Sequence, residues 1–205
     1  MFKILTLGDS ATGKTSMLYR YVNNHLPQDT IFVPTIGVDF YTHKTNGVSD
    51  AIFWDTGGME RYHAICRHYY TGAHGIVLVY DASESETEIR AKVMRWYNIV
   101  NEQVVGLFKV PVAIVGNKID LCMERQATLP AVVRELQTQH DNIRHYTTSA
   151  ISGLRVVTVF DDMLMRCKTS LEDPLVSRVS VVHLSRQDGC DDDPEESNYL
   201  RCCGT

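Results

Sequence analysis

The chain has 205 residues, 44% of them hydrophobic and 22% charged, with 20 Lys and Arg against 25 Asp and Glu. That length suits one domain of about 150–200 residues plus a tail, and the ordinary composition excludes collagen-like, coiled-coil and wholly disordered chains. The formal charge of −5 lies entirely beyond residue 168, where eight acids face Arg178, Arg186 and Arg201, so a nucleic-acid-binding face is not expected.

Phe2–Leu7 alternates as a strand, and the N-terminus is too short and wrongly flanked for a signal peptide. A glycine-rich turn follows, then a helical pattern over Lys14–Val22. Val38–Thr45 and Ala51–Asp55 flank Asn46-Gly47, the signature of a hairpin that adds one antiparallel strand. Short apolar runs at Ile76–Tyr80 and Val110–Val115 read as buried parallel strands. Between and after them, Glu86–Val105, Ala127–His140 and Gly153–Lys168 carry period-3.6 apolar spacing, with a further strand at His145–Thr147. Alternating strands and helices predict an α/β domain over residues 1–168 with a mostly parallel sheet covered on both faces. Residues 169–205, with two prolines and an acidic run, read as a flexible tail. No apolar run approaches the roughly 18 residues of a membrane helix. Cys66, Cys122 and Cys167 stand singly among apolar residues, as packing thiols do.

Gly8-Asp9-Ser10-Ala11-Thr12-Gly13-Lys14-Thr15 matches GxxxxGK[ST] between a strand and a helix. Ser10, Ala11, Thr12, Gly13 and Ser16 belong to a loop and helix start whose backbone N–H groups wrap phosphates. Lys14 neutralises the β/γ oxygens, and Thr15 offers a hydroxyl to Mg²⁺. Such a loop alone does not separate kinase, ATPase and GTPase. Asn117-Lys118-Ile119-Asp120 ends a buried strand, where a carboxylate can accept the guanine N1–H and 2-amino donors that adenine lacks. Thr148-Ser149-Ala150 can present a backbone N–H to guanine O6. Asp55, in Trp54-Asp55-Thr56-Gly57-Gly58, would hold Mg²⁺ through water. The Gly58 N–H and the Thr35 backbone would reach a γ-phosphate, and the Thr35 hydroxyl would complete the metal shell. Segments 28–40 and 57–72 are thus expected to order with GTP and relax without it.

Pro34–Phe40, Trp54-Asp-Thr, Arg61-Tyr-His-Ala-Ile, Tyr69–Gly75 and Ile76–Asp81 resemble signature segments of Rab GTPases, within the Ras-like superfamily. The resemblance covers about residues 2–167. It implies a P-loop NTPase small G domain with a six-stranded, mostly parallel sheet, one antiparallel strand and five flanking helices. It implies slow GTP hydrolysis to GDP with Mg²⁺, catalysed with the help of Lys14 and Thr35, and a switch role in vesicle traffic. The partners it implies are an exchange factor, an activating protein, a prenylation escort, a dissociation inhibitor and effectors that read Phe40, Trp54 and Tyr69. Cys202 and Cys203 match the geranylgeranyl acceptors of Rabs, which implies a cytosolic protein cycling to an endomembrane. The acidic tail would be repelled by anionic lipid, so lipid chains or protein receptors must carry attachment.

Three departures stand out. Met59 occupies the place of the glutamine that orients water, and a thioether cannot donate to it, so intrinsic hydrolysis is expected to be slow. Gly57 replaces alanine and is expected to loosen the segment after it, by about 0.5–1 kcal/mol where the backbone suits alanine. Gln28 or a neighbour falls where relatives place an aromatic against guanine. A GTP-loaded scaffold and a small-molecule P-loop kinase are the alternatives.

Overall fold

A computed structural model describes residues 1–26, 34–43, 50–57, 69–122 and 129–172. Six strands form one sheet: β1 (Phe2–Leu7), β2 (Val38–His43), β3 (Ala51–Thr56), β4 (Gly75–Asp81), β5 (Val112–Asn117) and β6 (Ile143–Thr147). Their order is β2-β3-β1-β4-β5-β6. Only β2 pairs antiparallel, with Phe40 opposite Trp54, and the other four pairings are parallel. The sequence-predicted hairpin is therefore present, although its Asn46-Gly47 turn lies outside the described residues.

Four α-helices flank the sheet among the described residues: α1 (Lys14–Asn23), α2 (Glu86–Gln103), α3 (Ala131–Gln139) and α4 (Val156–Glu172). The sheet and its strand order are those expected, and four of the five expected helices lie among the described residues. Period-2 alternation divides the core between the two faces. Ile76 and Leu78 pack with Val93, Trp96 and Val100 of α2 and with Val132 and Leu136 of α3. Val77 and Val79 pack on the other face, against Met17 and Leu18 of α1 and Phe160 and Met163 of α4. Full burial of side chains of this size contributes roughly 1.5–3 kcal/mol each, so both helix layers are held mainly by this apolar contact.

Several helix ends differ from the sequence pattern for identifiable reasons. Pro130 has no N–H, and its carbonyl accepts from Val133 at 3.0 Å and Arg134 at 3.1 Å, so α3 starts at Ala131 and not Ala127. Gly153 (φ 82°) and Arg155 (φ 55°) are left-handed, which delays α4 to Val156. That helix then continues to Glu172, four residues past the expected end at Lys168. Ser85 begins α2 with a reciprocal capping box to Glu88. Cys122 and Cys167 are buried, as expected of packing residues, and Cys66 lies outside the described residues. Among the described residues no helix is long and apolar enough to cross a membrane.

Candidate nucleotide site

Buried polar side chains cost free energy unless they are paired or used, so their positions locate the site. Those of the described residues are Thr6, Thr12, Lys14, Asp55, Thr56, Asn117, Thr148 and Ser149. They gather where the sheet meets the loops after β1, β3, β5 and β6, at the carboxyl ends of the parallel strands. Open α/β sheets place ligands at this edge.

The Gly8–Thr15 loop turns from β1 into α1. Gly13 has φ 91°, and a Cβ there would lie 2.3 Å from Asn117 Nδ2, so only glycine fits. Ala11 adopts φ 62° despite its side chain. Lys14 folds back into the loop and donates to the carbonyls of Gly8 and Asp9, both at 2.8 Å. Burial lowers its pKa to about 8 against the opposing pull of Asp55 and Asp9. A phosphate arriving here would meet a desolvated ammonium held among carbonyl oxygens, with the N-terminus of α1 beside it. Ser10 and Ala11 are exposed at the rim, while Ser16 is half-buried in the first turn of α1.

Thr15, Thr35 and Asp55 meet. Thr15 Oγ1 donates to Asp55 Oδ2 at 2.6 Å, Thr35 Oγ1 lies 3.0 Å from Thr15 Oγ1, and Thr35 Oγ1 donates to Asp55 Oδ2 at 3.3 Å. The second carboxylate oxygen, Asp55 Oδ1, is buried with no hydrogen-bond partner among the described residues. Burial raises the Asp55 pKa, opposed by the Thr15 hydrogen bond and the Lys14 charge. Two hydroxyls and a carboxylate with an unused buried oxygen form a hard-oxygen set that suits Mg²⁺. No group of three or more His, Cys, Asp or Glu side chains that could hold a metal occurs among the described residues, so phosphate and water would have to complete the shell.

Asn117 ties the two halves of the site together. Its Nδ2 donates to Thr12 O at 2.9 Å, and its Oδ1 accepts from Ala150 N at 3.0 Å and Thr148 Oγ1 at 3.2 Å. Lys118, at φ 65°, reaches back to Asp81 Oδ2 at 2.7 Å, and Asp120 stands exposed beside it. Ser149 is buried, and its hydroxyl accepts from Ser152 N at 3.1 Å. The phosphate loop, Asn117-Lys118-Ile119-Asp120 and Thr148–Ala150 therefore share one edge.

Phe40, Trp54 and Tyr69 form a chain of edge-to-face rings, with centroids 4.7 Å and 5.7 Å apart. Trp54 and Tyr69 pack against the core, whereas Phe40 is 58% exposed. Both sequence readings of these aromatics, core and presented surface, describe part of the cluster.

Gly57 does not meet the condition attached to one expectation. A Cβ on it would sit 2.5 Å from Thr35 O, so this backbone arrangement does not suit alanine. Its N–H donates to Gly37 O at 2.8 Å, which brings the Thr35 segment against the end of β3. Here the absent Cβ permits a close contact, and the segment after Gly57 lies outside the described residues. Gly58, Met59, Gln28, Cys202 and Cys203 lie outside the described residues.

Sequence reasoning missed how Asp9 is held. Its carboxylate accepts from Trp96 Nε1 at 2.6 Å and from Arg95, with Lys92 3.9 Å away, so α2 fastens the phosphate loop from outside. A polar residue inside the glycine motif is the only local sign of this.

The fold and these three motif segments define a P-loop nucleotide-binding domain of the small G-protein type. The Ras family model matches residues 3–169. The chain is 31% identical to mouse Ras-related protein Rab-21 over 218 residues, covering 100% of this chain and 92% of that protein. It is 33% identical to the Ypt/Rab-type GTPase YPT7 of Saccharomyces cerevisiae, covering 80% of this chain and 79% of the relative. Mouse Ras-related protein Rab-25 is 32% identical, with 99% and 93% covered. The chain belongs to the Ras family and is a Rab-family small GTPase.

Proposed function

We propose that this protein is a Mg²⁺-dependent GTP/GDP switch of membrane traffic whose own hydrolysis is slowed by Met59. The observation that carries the reading is the joining of phosphate and base elements through Asn117, beside the Thr15–Thr35–Asp55 oxygen cluster. Ser10, Ala11, Thr12, Gly13 and Ser16 line the phosphates, Lys14 neutralises their charge, and Gly58 supplies an N–H to the γ-phosphate. Asn117, Lys118, Asp120, Ser149 and Ala150 bind guanine. Thr15, Thr35 and Asp55 hold Mg²⁺, which when bound would neutralise charge developing on the phosphate oxygens. Lys14 and Thr35 stabilise that same charge from the protein side.

Thr35 links nucleotide state to surface shape. It sits next to Ile36, which is 81% exposed, and three residues before β2, which carries Phe40. A γ-phosphate that holds Thr35 would fix this edge for effectors reading Phe40, Trp54 and Tyr69. Exchange factors and activating proteins would set the cycle. Geranylgeranyl groups on Cys202 and Cys203, delivered by an escort and masked by a dissociation inhibitor, would attach the protein to the cytosolic face of an endomembrane. The acidic tail supports this reading, because it offers no electrostatic attraction to anionic lipid.

Single-turnover hydrolysis of preloaded GTP tests the role of Met59. Met59→Gln should speed hydrolysis at least several-fold, and an unchanged rate refutes that role. If the wild-type protein keeps its GTP throughout and an activating protein has no effect, the GTP-loaded scaffold replaces the switch.

A further inference from the structure

The sequence gives α1 one evident task, to present Lys14 and Thr15 at its first turn. Residues three and six positions further on, Met17 and Arg20, continue along the helix toward its other end. Met17 is fully buried, and its sulfur accepts from Thr148 Oγ1 at 3.7 Å. Arg20, one turn beyond, spans 130 residues of sequence to reach the loop after β6. Its Nε donates to Ala150 O at 3.1 Å, and Nη2 donates to Ile151 O. Gly153 lies under the guanidinium, where a Cβ would make ordinary contact with Nε at 3.4 Å, and its φ of 82° is the left-handed turn that glycine favours.

The loop is otherwise closed on itself. Gly153 N donates to Ser149 O at 2.8 Å, Ser149 N to Leu154 O at 3.3 Å, and Ser152 N to Ser149 Oγ at 3.1 Å. Among the described residues, Asn117 and Arg20 hold its 150–151 peptides from elsewhere, Asn117 through the Ala150 N–H and Arg20 through two carbonyls. A peptide unit is planar, with its C=O and N–H on opposite sides. Fixing Ala150 O therefore fixes the direction of the Ile151 N–H, whereas the Ser152 N–H is already given to Ser149 Oγ. A permanently charged planar fork with rigid donor geometry suits this task better than an ammonium.

We propose that Arg20 is a positioning residue for base recognition: from the far end of the phosphate-binding helix it sets the Ile151 N–H, next to Ala150, to meet guanine O6. The inference rests on the guanine reading of the site and assigns the O6 part of that specificity to a side chain outside all three motifs. One rigid helix then registers the phosphate loop and the base loop together.

The test compares the Mg²⁺-dependent affinities of GDP, 6-thio-GDP and IDP for the full chain and two variants. The thio analogue changes only the O6 acceptor, to a weakly accepting sulfur, and IDP lacks only the 2-amino group that Asp120 would accept. In Arg20→Met, which keeps the stem, the GDP over 6-thio-GDP preference should narrow about tenfold, the equivalent of one charged hydrogen bond. The GDP over IDP preference should stay within about twofold, because Asp120 is untouched. Arg20→Lys, which can reach one carbonyl, should fall between, and it keeps the test available should Arg20→Met fold poorly. Parallel loss of affinity for all three nucleotides, with both ratios unchanged, overturns the inference and leaves Arg20 a general stabiliser. A wild-type protein with no preference for GDP over IDP instead overturns the guanine reading beneath it.

Discussion

Replacing Gly57 by alanine separates two opposite expectations. A glycine outside the left-handed region normally gains about 0.4–1 kcal/mol on becoming alanine, because the unfolded chain loses freedom. Gly57 is not among the positive-φ residues, so that gain is open to it. The new methyl carbon would nevertheless lie 2.5 Å from Thr35 O and 3.3 Å from Gly37 O, and both are backbone atoms that cannot rotate away. Overpacking of this kind costs about 1–3 kcal/mol, so the clash outweighs the entropic gain. The strain falls on the contacts that dock Thr35: Gly57 N–H to Gly37 O at 2.8 Å, and Thr35 Oγ1 to Asp55 Oδ2 at 3.3 Å. On the proposed switch reading, GTP would use the docked Thr35 and GDP would not. A net penalty of about 1–2 kcal/mol should therefore reduce the affinity for a non-hydrolysable GTP analogue relative to GDP by roughly 5- to 30-fold. Titration of both nucleotides into wild-type and Gly57→Ala protein with Mg²⁺ measures this ratio. Hydrogen exchange at the residue 57 amide should accelerate in parallel. An unchanged or increased preference for the GTP analogue refutes the reasoning.

Three further substitutions probe the frame around the site. Ala11 holds φ 62°, where a Cβ costs about 1–2 kcal/mol, so Ala11→Gly should stabilise the GDP-bound protein by roughly 0.5–1 kcal/mol in urea denaturation after glycine's own entropy cost. Asp9→Asn removes the charge that Arg95 and Lys92 share and weakens the acceptor for Trp96 Nε1; GDP release should accelerate several-fold in a fluorescence dissociation assay. His145 Nε2 shares a hydrogen bond with the Tyr80 hydroxyl at 2.8 Å, and burial lowers its pKa from 6.5 to about 4. The unfolded imidazole then binds a proton that the folded one resists, so its contribution is complete above pH 6.5 and is lost as pH falls toward 4, by up to about 3 kcal/mol. His145→Gln, which retains an acceptor, should flatten that part of the stability–pH curve, and an unchanged slope in urea denaturation assigns the dependence elsewhere.

The parts legible in the sequence were those with local causes. The glycine loop needs its residues within one turn, Asn117 to Asp120 end one buried strand, and the hairpin and two-faced core follow from hydrophobic period. Asp55 and Thr35 could be paired from the chemistry of Mg²⁺, and their side chains do meet Thr15. Contacts between distant segments were not legible. Arg20 meets Ala150 across 130 residues, Trp96 meets Asp9 across 87, and Gly57 adjoins Thr35 only because β2 returns alongside β3. No spacing rule encodes such meetings, since they depend on how whole elements pack. The backbone at Gly57 was illegible for the same reason: whether it suits alanine depends on Thr35, a neighbour from another segment. Helix ends shifted where a local rule was overlooked, at Pro130 and at the left-handed Arg155.

The most direct test of guanine-specific binding is competition for the loaded site. Purified protein is loaded with a fluorescent GDP in Mg²⁺, and unlabelled GTP, GDP or ATP is added at equilibrium. The Asn117–Asp120 and Thr148–Ala150 arrangement predicts that GTP and GDP displace the probe near stoichiometric concentration. ATP at about a thousandfold excess should leave it bound, because adenine leaves the Asp120 carboxylate without its donors. Displacement by ATP at concentrations similar to GTP would contradict the account and favour a P-loop kinase.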